Sequence, residues 1–154
     1  MSNIIIRRYT PEDLSALITL FKEAVSAINI RHYSQEQVAA WTAVDESKWR
    51  RTLEENITYV AQIDGVIVGF ADMTHAGYLD RVYVHKDYQL RGIALRLINV
   101  IEPLARALGL SKITTDCSIT AKIPAERIGF VVIKEQTVER KGIVLINYVM
   151  EKKL

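Results

Sequence analysis

The residues best suited to chemistry lie at 79–97, where a predicted strand passes through a short polar loop into a helix. Gly92 and Ala94 fall in the first turn of that helix, and their small side chains let a ligand approach the backbone closely. The first amides of a helix have no intrahelical partner and the helix dipole adds positive potential, so such a terminus receives phosphate. Arg91 and Arg96 could supply further charge. The segment predicts a site for a pyrophosphate-bearing ligand.

A plainer interpretation of the same residues stays open. Gly92 could be a simple turn residue and Arg91 a solvated charge, and one glycine before a helix, taken alone, favours that interpretation. The dinucleotide fingerprint G-x-G-x-x-G and the P-loop G-x-x-x-x-G-K-[ST] are both absent from the chain. Neither generic nucleotide motif therefore explains the segment.

The elements that would position this segment follow from the period of the apolar residues. Strands are predicted at 3–8, 58–63, 66–73, 78–84, 112–116, 130–139 and 143–151, and helices at 10–25, within 34–54, at 92–108 and at 120–127. Asp64-Gly65 and Lys141-Gly142 predict hairpin turns. The order β-α-α-β-β-β-α-β-α-β-β indicates one α+β domain over 1–154. Its mixed sheet would be antiparallel at first, with one parallel crossover through the long helix.

The composition excludes several classes of protein. Of the 154 residues, 49% are apolar and 25% are charged, which is typical of a globular chain. A formal charge of +2 gives no concentrated basic surface for nucleic acid or an anionic membrane. No apolar run reaches the ~18–20 residues of a membrane span, and the N-terminus has the reverse order of a secretory signal. With one cysteine and three histidines, we expect no disulfide, no metal site and a cytoplasmic location.

Several short motifs resemble those of one enzyme family. Q-L-R-G-I-A at 89–94, which follows a strand ending in V-Y-V, resembles the Q/R-x-x-G-x-G/A signature of the GNAT acyltransferases. G-V-I-V-G-F-A at 65–71 resembles the third strand of that family, and A-x-x-x-x-E-R-x-G-F at 121–130 resembles the segment that closes its site. The segments 34–41, 118–122 and 147–152 are similar to the YafP-type branch. The resemblance covers essentially the whole chain.

The resemblance implies an acetyl-CoA-dependent N-acetyltransferase that acts without a metal. The expected fold is GNAT-like, with a mostly antiparallel sheet of about seven strands and about four helices, splayed between the fourth and fifth strands. A backbone N–H near Val82 would polarise the thioester carbonyl. Ser118 matches the position of an asparagine that contacts pantetheine. The pantetheine arm would pair with the backbone of Val82, Tyr83 and Val84, and the pyrophosphate would rest on the amides of Leu90, Arg91, Gly92, Ile93, Ala94 and Leu95.

The sequence leaves several candidates for the general base and none for the general acid. Amine acetylation needs a general base, and Tyr78 and Asp80 are candidates that share one face of the fourth strand by two-residue alternation. Asp72 and Asp116 are alternatives, and for each aspartate a strand-end or solvated role stays open. Many family members carry a tyrosine that protonates the departing thiolate, but the matching position here is Ala125.

The acceptor is expected to be a primary amine of a small molecule or a protein, acetylated directly. His32 and Tyr33 could contact this amine, although a plain polar loop is an equal interpretation. Cys117 is expected to be a small buried apolar residue rather than an acyl carrier. The alternative function is a CoA-binding regulatory or interaction module with weakened catalysis, because Pro124 and Ala125 stand where the resemblance implies an aromatic residue followed by the tyrosine. The exposed edge of the closing hairpin could pair two subunits as a homodimer.

Overall fold

The structure, a computed structural model, describes residues 3–154; the first two residues of the N-terminal segment compared above with a secretory signal lie outside this range. Two short 3-10 turns, at Pro11–Asp13 and Asn29–Arg31, flank the first helix. The strands are β1 (Ile4–Arg8), β2 (Ile57–Ile63), β3 (Val66–Met73), β4 (Tyr78–Val84), β5 (Lys112–Ser118), β6 (Val131–Arg140) and β7 (Ile143–Lys153). The helices are α1 (Leu14–Ala27), α2 (Gln35–Trp41), α3 (Glu46–Glu55), α4 (Ile93–Ala107) and α5 (Ile119–Arg127).

All seven strands form one sheet in the order β1-β2-β3-β4-β5-β7-β6. Every neighbouring pair is antiparallel except β4 and β5, which are parallel and connected through α4. Both predicted hairpin turns place two successive residues in the left-handed region, with φ of 50° and 78° at Asp64 and Gly65 and of 51° and 80° at Lys141 and Gly142. Such φ values are those of a type I′ turn, so both hairpin turns are as predicted.

The antiparallel pairs, together with the one parallel crossover through α4, confirm the predicted mixed sheet.

The helices cover both faces of the sheet. The buried side chains of α1, among them Leu17 and Val25, pack with α2 and α3 against Phe70 of β3. On the opposite face, α4 packs Leu97 and Ile101 against the sheet. The central strands therefore lie between two apolar layers, one on each face of the sheet.

The predicted helical zone at 34–54 is two helices, so the structure contains five helices rather than four. Ser34 caps α2, since its Oγ accepts from the N–H of Gln37, and the Gln37 side chain accepts from the N–H of Ser34. Asp45 caps α3 by accepting from the N–H of Lys48 over 3.1 Å. The second cap starts a new helix and turns the chain, so that α3 lies beside β2 and β3.

Gly69 allows α4 to lie close to β3. A Cβ at this position would come within 2.8 Å of the Ile93 side chain and 3.2 Å of the Tyr83 carbonyl oxygen. Because Ile93 is the first residue of α4, this close approach fixes the start of the helix next to β4.

The outer strand β6 leaves one sheet edge open. Val131, Ile133 and Val144 of the closing hairpin are each more than half exposed, at 56%, 52% and 56%. Pairing of two subunits across this edge stays a prediction. Among residues 3–154, no helix combines the length and the apolar character needed to cross a membrane.

Candidate active site

A cleft opens where β4 and β5 stop pairing. Tyr78 lies opposite Thr114 and Leu79 opposite Thr115, and the two strands form no further pairs. The Thr115 hydroxyl donates to the Leu79 carbonyl over 2.8 Å at the end of this short ladder. Beyond it lies a cavity of about 930 Å³ bounded by β4, β5 and the first turn of α4. The predicted splay between the fourth and fifth strands is confirmed.

The loop between β4 and α4 has a backbone shaped for an anion. Leu90 and Gly92 both adopt left-handed φ values, of 61° and 74°. The Gln89 side chain ties the loop to the end of β4, donating to the carbonyls of Val84 and His85 over 2.9 and 3.2 Å. Backbone turns of this kind direct successive N–H groups to one side, which forms a concave anion site.

The first turn of α4 adds further backbone donors. The N–H of Arg96 is the first to close a helical bond, to the carbonyl of Gly92 over 3.0 Å. The amides at 93–95 precede it and therefore have no intrahelical acceptor. They border the cavity, where such amides suit a pyrophosphate group, and binding of that group at this turn stays a prediction.

The two arginines near this turn differ in position. The Arg91 guanidinium lies 4.9 Å from the ring centroid of Tyr88, on the cavity wall. Arg96 instead donates to the carbonyl of Ile4 on β1 over 3.1 Å. Arg91 is therefore the better placed of the two to meet phosphate charge.

The free edge of β4 faces the cavity. On its other edge, β4 pairs with β3 through Val82 opposite Ala71, Tyr83 opposite Phe70 and Val84 opposite Gly69. Beyond Leu79 the free edge has no strand partner, so it presents N–H and C=O groups to whatever enters the splay. An extended amide chain such as pantetheine matches these groups, and its pairing with Val82, Tyr83 and Val84 stays a prediction.

A β-bulge interrupts β4 at Asp80. Asp72 lies opposite Arg81, whereas the next pair joins Met73 and Leu79, so Asp80 has no partner on β3. The regular two-residue alternation predicted for this strand therefore fails at Asp80. The extra residue places its carboxylate on the wall of the cavity, with 38% of the side chain exposed.

The surroundings of Asp80 make it a better base. Burial, and then the negative charge of Asp72, raise the pKa of Asp80 above its ordinary value. Opposing contributions come from three cations, namely Arg81, Lys48 and Arg140. The nearest of these, Nη2 of Arg81, is 3.5 Å from Oδ2 of Asp80. A carboxylate whose pKa is raised towards neutrality accepts a proton more effectively.

Asp72, the alternative base on β3, is engaged elsewhere. It is fully buried, and its carboxylate accepts from Nε and Nη2 of Arg81 over 3.0 and 2.5 Å. Asn56 donates to it over 2.9 Å. Asp72 is not on the cavity wall, so the geometry does not support a direct exchange of protons with substrate.

Tyr78 and Asp116 face each other across the splay. The Tyr78 hydroxyl donates to Oδ2 of Asp116 over 2.9 Å, and Gln136 donates to Oδ1 over 3.1 Å. Burial, followed by this hydrogen bond to Asp116, raises the pKa of Tyr78 well above its ordinary value. Tyr78 is therefore a neutral phenol near pH 7, which favours Asp80 over Tyr78 as the base, and the catalytic role of either residue stays a prediction.

Of the two predicted acceptor contacts, Tyr33 lines the cavity and His32 does not. The Tyr33 hydroxyl donates to the carbonyl of Ile146 over 2.7 Å and accepts from the N–H of Ile119 over 2.9 Å, which joins β7 to the start of α5. The His32 ring bonds the Thr120 hydroxyl over 3.0 Å and is not on the cavity wall. Contact of either residue with an acceptor stays a prediction.

Ser118 has a structural task at the end of β5. Its Oγ accepts from the N–H of Ala121 over 3.1 Å, which caps α5, and from Nδ2 of Asn29 over 3.3 Å. Ser118 also lines the cavity, and its contact with pantetheine stays a prediction.

Cys117 and Ala125 both lie on the cavity wall. Ala125 is the position at which the resemblance implies a tyrosine. Cys117 is 7% exposed, and burial raises the pKa of its thiol to about 12. A thiol of that pKa is not ionised near neutrality, which agrees with a packing role. Ala125 places only a methyl group at the cavity, so this position supplies no proton to a leaving thiolate.

Two polar residues of this region were not found from the sequence. Asn147 is 9% exposed and lines the cavity, and its Oδ1 has no hydrogen-bond partner among the described residues. Arg81 is central to the bulge through its pairing with Asp72. The sequence carries no local signal for either residue, because Arg81 bonds residues distant in sequence and the burial of Asn147 depends on the packing of the whole fold.

Comparisons with known proteins agree with this geometry. The family described as "Acetyltransferase (GNAT) domain" matches residues 29–152. The chain is 39% identical to the "Uncharacterized N-acetyltransferase YafP" of Escherichia coli strain K12 over 153 residues, which is 99% of this chain and 98% of that protein. A crystal structure of a GCN5-related N-acetyltransferase from Rhodopseudomonas palustris superposes with a TM-score of 0.95 at 35% identity, covering 100% of this chain and 98% of the other.

A more distant structure shows the same fold with its ligand. The PaiA N-acetyltransferase of Thermoplasma acidophilum, solved in complex with coenzyme A, has a TM-score of 0.81 at 20% identity and covers 99% of each chain. The family match extends over most of the chain and the YafP similarity over nearly all of it. This chain therefore belongs to the GNAT family and is one of its N-acetyltransferases.

Proposed function

We propose that the chain is a single acetyltransferase domain that transfers an acetyl group from acetyl-CoA directly to a primary amine. The observation that carries this proposal is the continuity of one cavity. It runs from the amides at the start of α4, along the free edge of β4, to the carboxylate of Asp80. A phosphate site, an amide-pairing edge and a base therefore lie in the order that a CoA thioester and an amine need.

The chain's own residues would divide the work as follows. The amides at 90–95 and Arg91 bind the pyrophosphate, and the backbone at 82–84 orients the pantetheine arm. A backbone N–H near Val82 stabilises the oxygen of the thioester carbonyl as charge develops on it. The amine nitrogen bonds to the acetyl carbon, the C–S bond breaks, and Asp80 takes the proton that the nitrogen loses. The departing thiolate is protonated by solvent, since Ala125 offers no donor.

The proposed acceptor end of the cavity carries two carboxylates that can attract an ammonium group, beside the cations Lys48, Arg81 and Arg140. Asp80 and Asp116 both lie on this wall, and Asn147 adds an amide whose Oδ1 is unpartnered among the described residues. These groups attract and orient an ammonium group, which loses one proton to solvent to become a neutral amine, and Asp80 takes the second proton as the amide bond forms. The proposed acceptor is a primary amine of either a small molecule or a protein.

A second candidate function rests on the residues at 124–125. Pro124 and Ala125 replace the aromatic pair that the resemblance implies, and both line the cavity. A CoA-binding module with weakened catalysis would keep the phosphate site and lose turnover.

Release of the CoA thiol with a panel of amines separates the two functions. The panel should contain amino acids, polyamines, aminoglycosides and short peptides, and acetyl-CoA binding should be titrated in parallel. We expect binding together with thiol release that depends on at least one amine. Saturable binding with no amine-dependent release would favour the module, whereas absence of binding would remove both functions.

A further inference from the structure

The ion pair between Asp72 and Arg81 has no step in the transfer described above, yet it borders the base. Asp72 is fully buried and the Arg81 side chain is 10% exposed, which makes this the most deeply buried ion pair among residues 3–154. Two parallel hydrogen bonds, of 3.0 and 2.5 Å, hold the guanidinium to the carboxylate. Such bidentate pairs fix the geometry of both partners.

Helix α3 holds the pair from the other side. Nη2 of Arg81 also donates to the Thr52 hydroxyl over 2.9 Å, and the guanidinium carbon lies 4.6 Å from the Trp49 ring centroid. Asn56 donates to Asp72 over 2.9 Å. The guanidinium is therefore committed to Asp72 and α3, and the bulge at Asp80 is held next to it.

The same guanidinium lies just short of bonding Asp80. The distance from Nη2 to Oδ2 of Asp80 is 3.5 Å, beyond an ordinary N–H···O bond. Asp80 and Asp72 are the carboxylates that Arg81 contacts. Without Asp72, Arg81 would have Asp80 as its remaining anionic partner and would occupy the oxygens that the substrate needs.

We propose that Asp72 is a positioning residue, which binds Arg81 so that the guanidinium supports the bulge without capturing the carboxylate of Asp80. This inference rests on the proposed role of Asp80 as the base. The two partners act on that base in opposite directions, because Asp72 raises the pKa of Asp80 and Arg81 lowers it. The groups that face Asp80 from the surrounding elements are Lys48 of α3, Asp72 of β3, Tyr78, Arg81 and Tyr83 of β4, and Arg140 of β6.

The test is a carbon NMR titration of the Asp80 carboxyl group in the full, folded chain, alongside steady-state kinetics. In Asp72→Asn we expect the titration to move to lower pH and kcat near neutral pH to fall by about 10–100-fold, with the KM for acetyl-CoA unchanged. In the double variant Asp72→Asn/Arg81→Met, we expect the titration to return to higher pH and part of kcat to recover, since no guanidinium is left to capture Asp80.

A matched control is Asp13→Asn, which breaks a second bidentate pair, between Asp13 and Arg7, outside the cavity wall. We expect it to leave the Asp80 titration in place. An unmoved Asp80 titration in Asp72→Asn, or the same movement in Asp13→Asn, would overturn the inference. So would a double variant that loses as much kcat as the single one. Full activity in Asp80→Asn would instead overturn the role of Asp80, while the carboxyl titration would still report on the pair.

Discussion

The Tyr78 hydroxyl donates a 2.9 Å hydrogen bond to Asp116, so the ends of β4 and β5 are joined at the point where the sheet opens. Burial and this bond keep the phenol protonated. The tyrosine therefore helps to hold the cavity wall beside Asp80, the residue proposed to accept the proton.

Asp80→Asn should lower kcat by ~10²–10⁴-fold, the range of a positioned general base, with little change in acetyl-CoA affinity. Tyr78→Phe should have a smaller effect, because it removes one hydrogen bond and no base. Steady-state kinetics with the acceptor amine measure both. A suitable control is Asp64→Asn, in the β2–β3 turn, where the left-handed φ of 50° tolerates asparagine. A large loss in Tyr78→Phe with a nearly silent Asp80→Asn would reassign the base to the tyrosine.

Gly92→Glu should abolish acetyl-CoA binding in a protein that still folds. A Cβ at this position meets no atom within 4 Å, so the side chain has room, and its carboxylate would repel the pyrophosphate. Isothermal titration with acetyl-CoA provides the measurement.

Two variants separate charge from backbone strain at this site. Because φ is 74° at Gly92, any side chain there costs roughly 1–2 kcal/mol of stability. Gly92→Ala carries the same backbone strain as Gly92→Glu but adds no charge. Gly109→Glu places the same side chain at a left-handed glycine just after the other end of α4, again with open space. Both should bind acetyl-CoA. Unchanged affinity in Gly92→Glu would remove the pyrophosphate from this loop.

Asp80→Asn and Asp13→Asn should change the stability of the fold at pH 7 in opposite directions. Burial raises the pKa of Asp80, so its charged form disfavours the folded state at neutral pH. Asp80→Asn should therefore raise the melting temperature at pH 7, and the gain should vanish as pH falls below the ordinary carboxyl value of 3.8. Hydrogen bonds from Arg7 lower the pKa of Asp13, so Asp13→Asn should lower stability at pH 7, by roughly 1–3 kcal/mol.

The loss in Asp13→Asn should fade as pH falls through the folded-state pKa of Asp13, where the wild-type carboxyl group also becomes neutral. Thermal denaturation from pH 3 to pH 8 follows both variants. A stabilising effect of Asp80→Asn that persists unchanged at the acid end would contradict the raised pKa of Asp80.

Tyr33→Phe should destabilise the fold, and its effect on the KM for the amine tests whether the hydroxyl also binds the acceptor. The variant removes the bond to the Ile146 carbonyl and leaves the N–H of Ile119 without its acceptor, at a cost of about 1–3 kcal/mol. Urea denaturation measures the stability, and the KM for the amine tests the alternative. A raised KM at unchanged stability would show that the hydroxyl binds substrate, as the sequence suggested.

Local signals account for most of what could be predicted. The two hairpins follow from Asp64-Gly65 and Lys141-Gly142, whose left-handed φ values the turn type requires. The loop before α4 follows from the motif at 89–94 and from Gly92 at the start of the helix. In each case the determining residues are neighbours in sequence.

Features with weak local signals, and features that depend on distant residues, could not be predicted. The break between α2 and α3 has weak signals in sequence, because Asp45 is one of several polar residues that could cap a helix. The bulge at Asp80 lies next to Arg81, which bonds Asp72 of β3 and Thr52 of α3, both distant in sequence. Alternation predicts that Tyr78 and Asp80 share one face, and both line the cavity, but it does not predict the bulge or the ion pair in which Asp72 is buried.

The most direct test of direct transfer follows an isotope-labelled acetyl group from acetyl-CoA by mass spectrometry. With an accepted amine, we expect the label on the amine nitrogen and none on Cys117, whose thiol has a pKa of about 12 and is 7% exposed. Cys117→Ala should form labelled product at the wild-type rate, and Asp80→Asn should form little. Label on Cys117 that is chased to the amine, or bound acetyl-CoA with no labelled amine, would contradict direct transfer by this site.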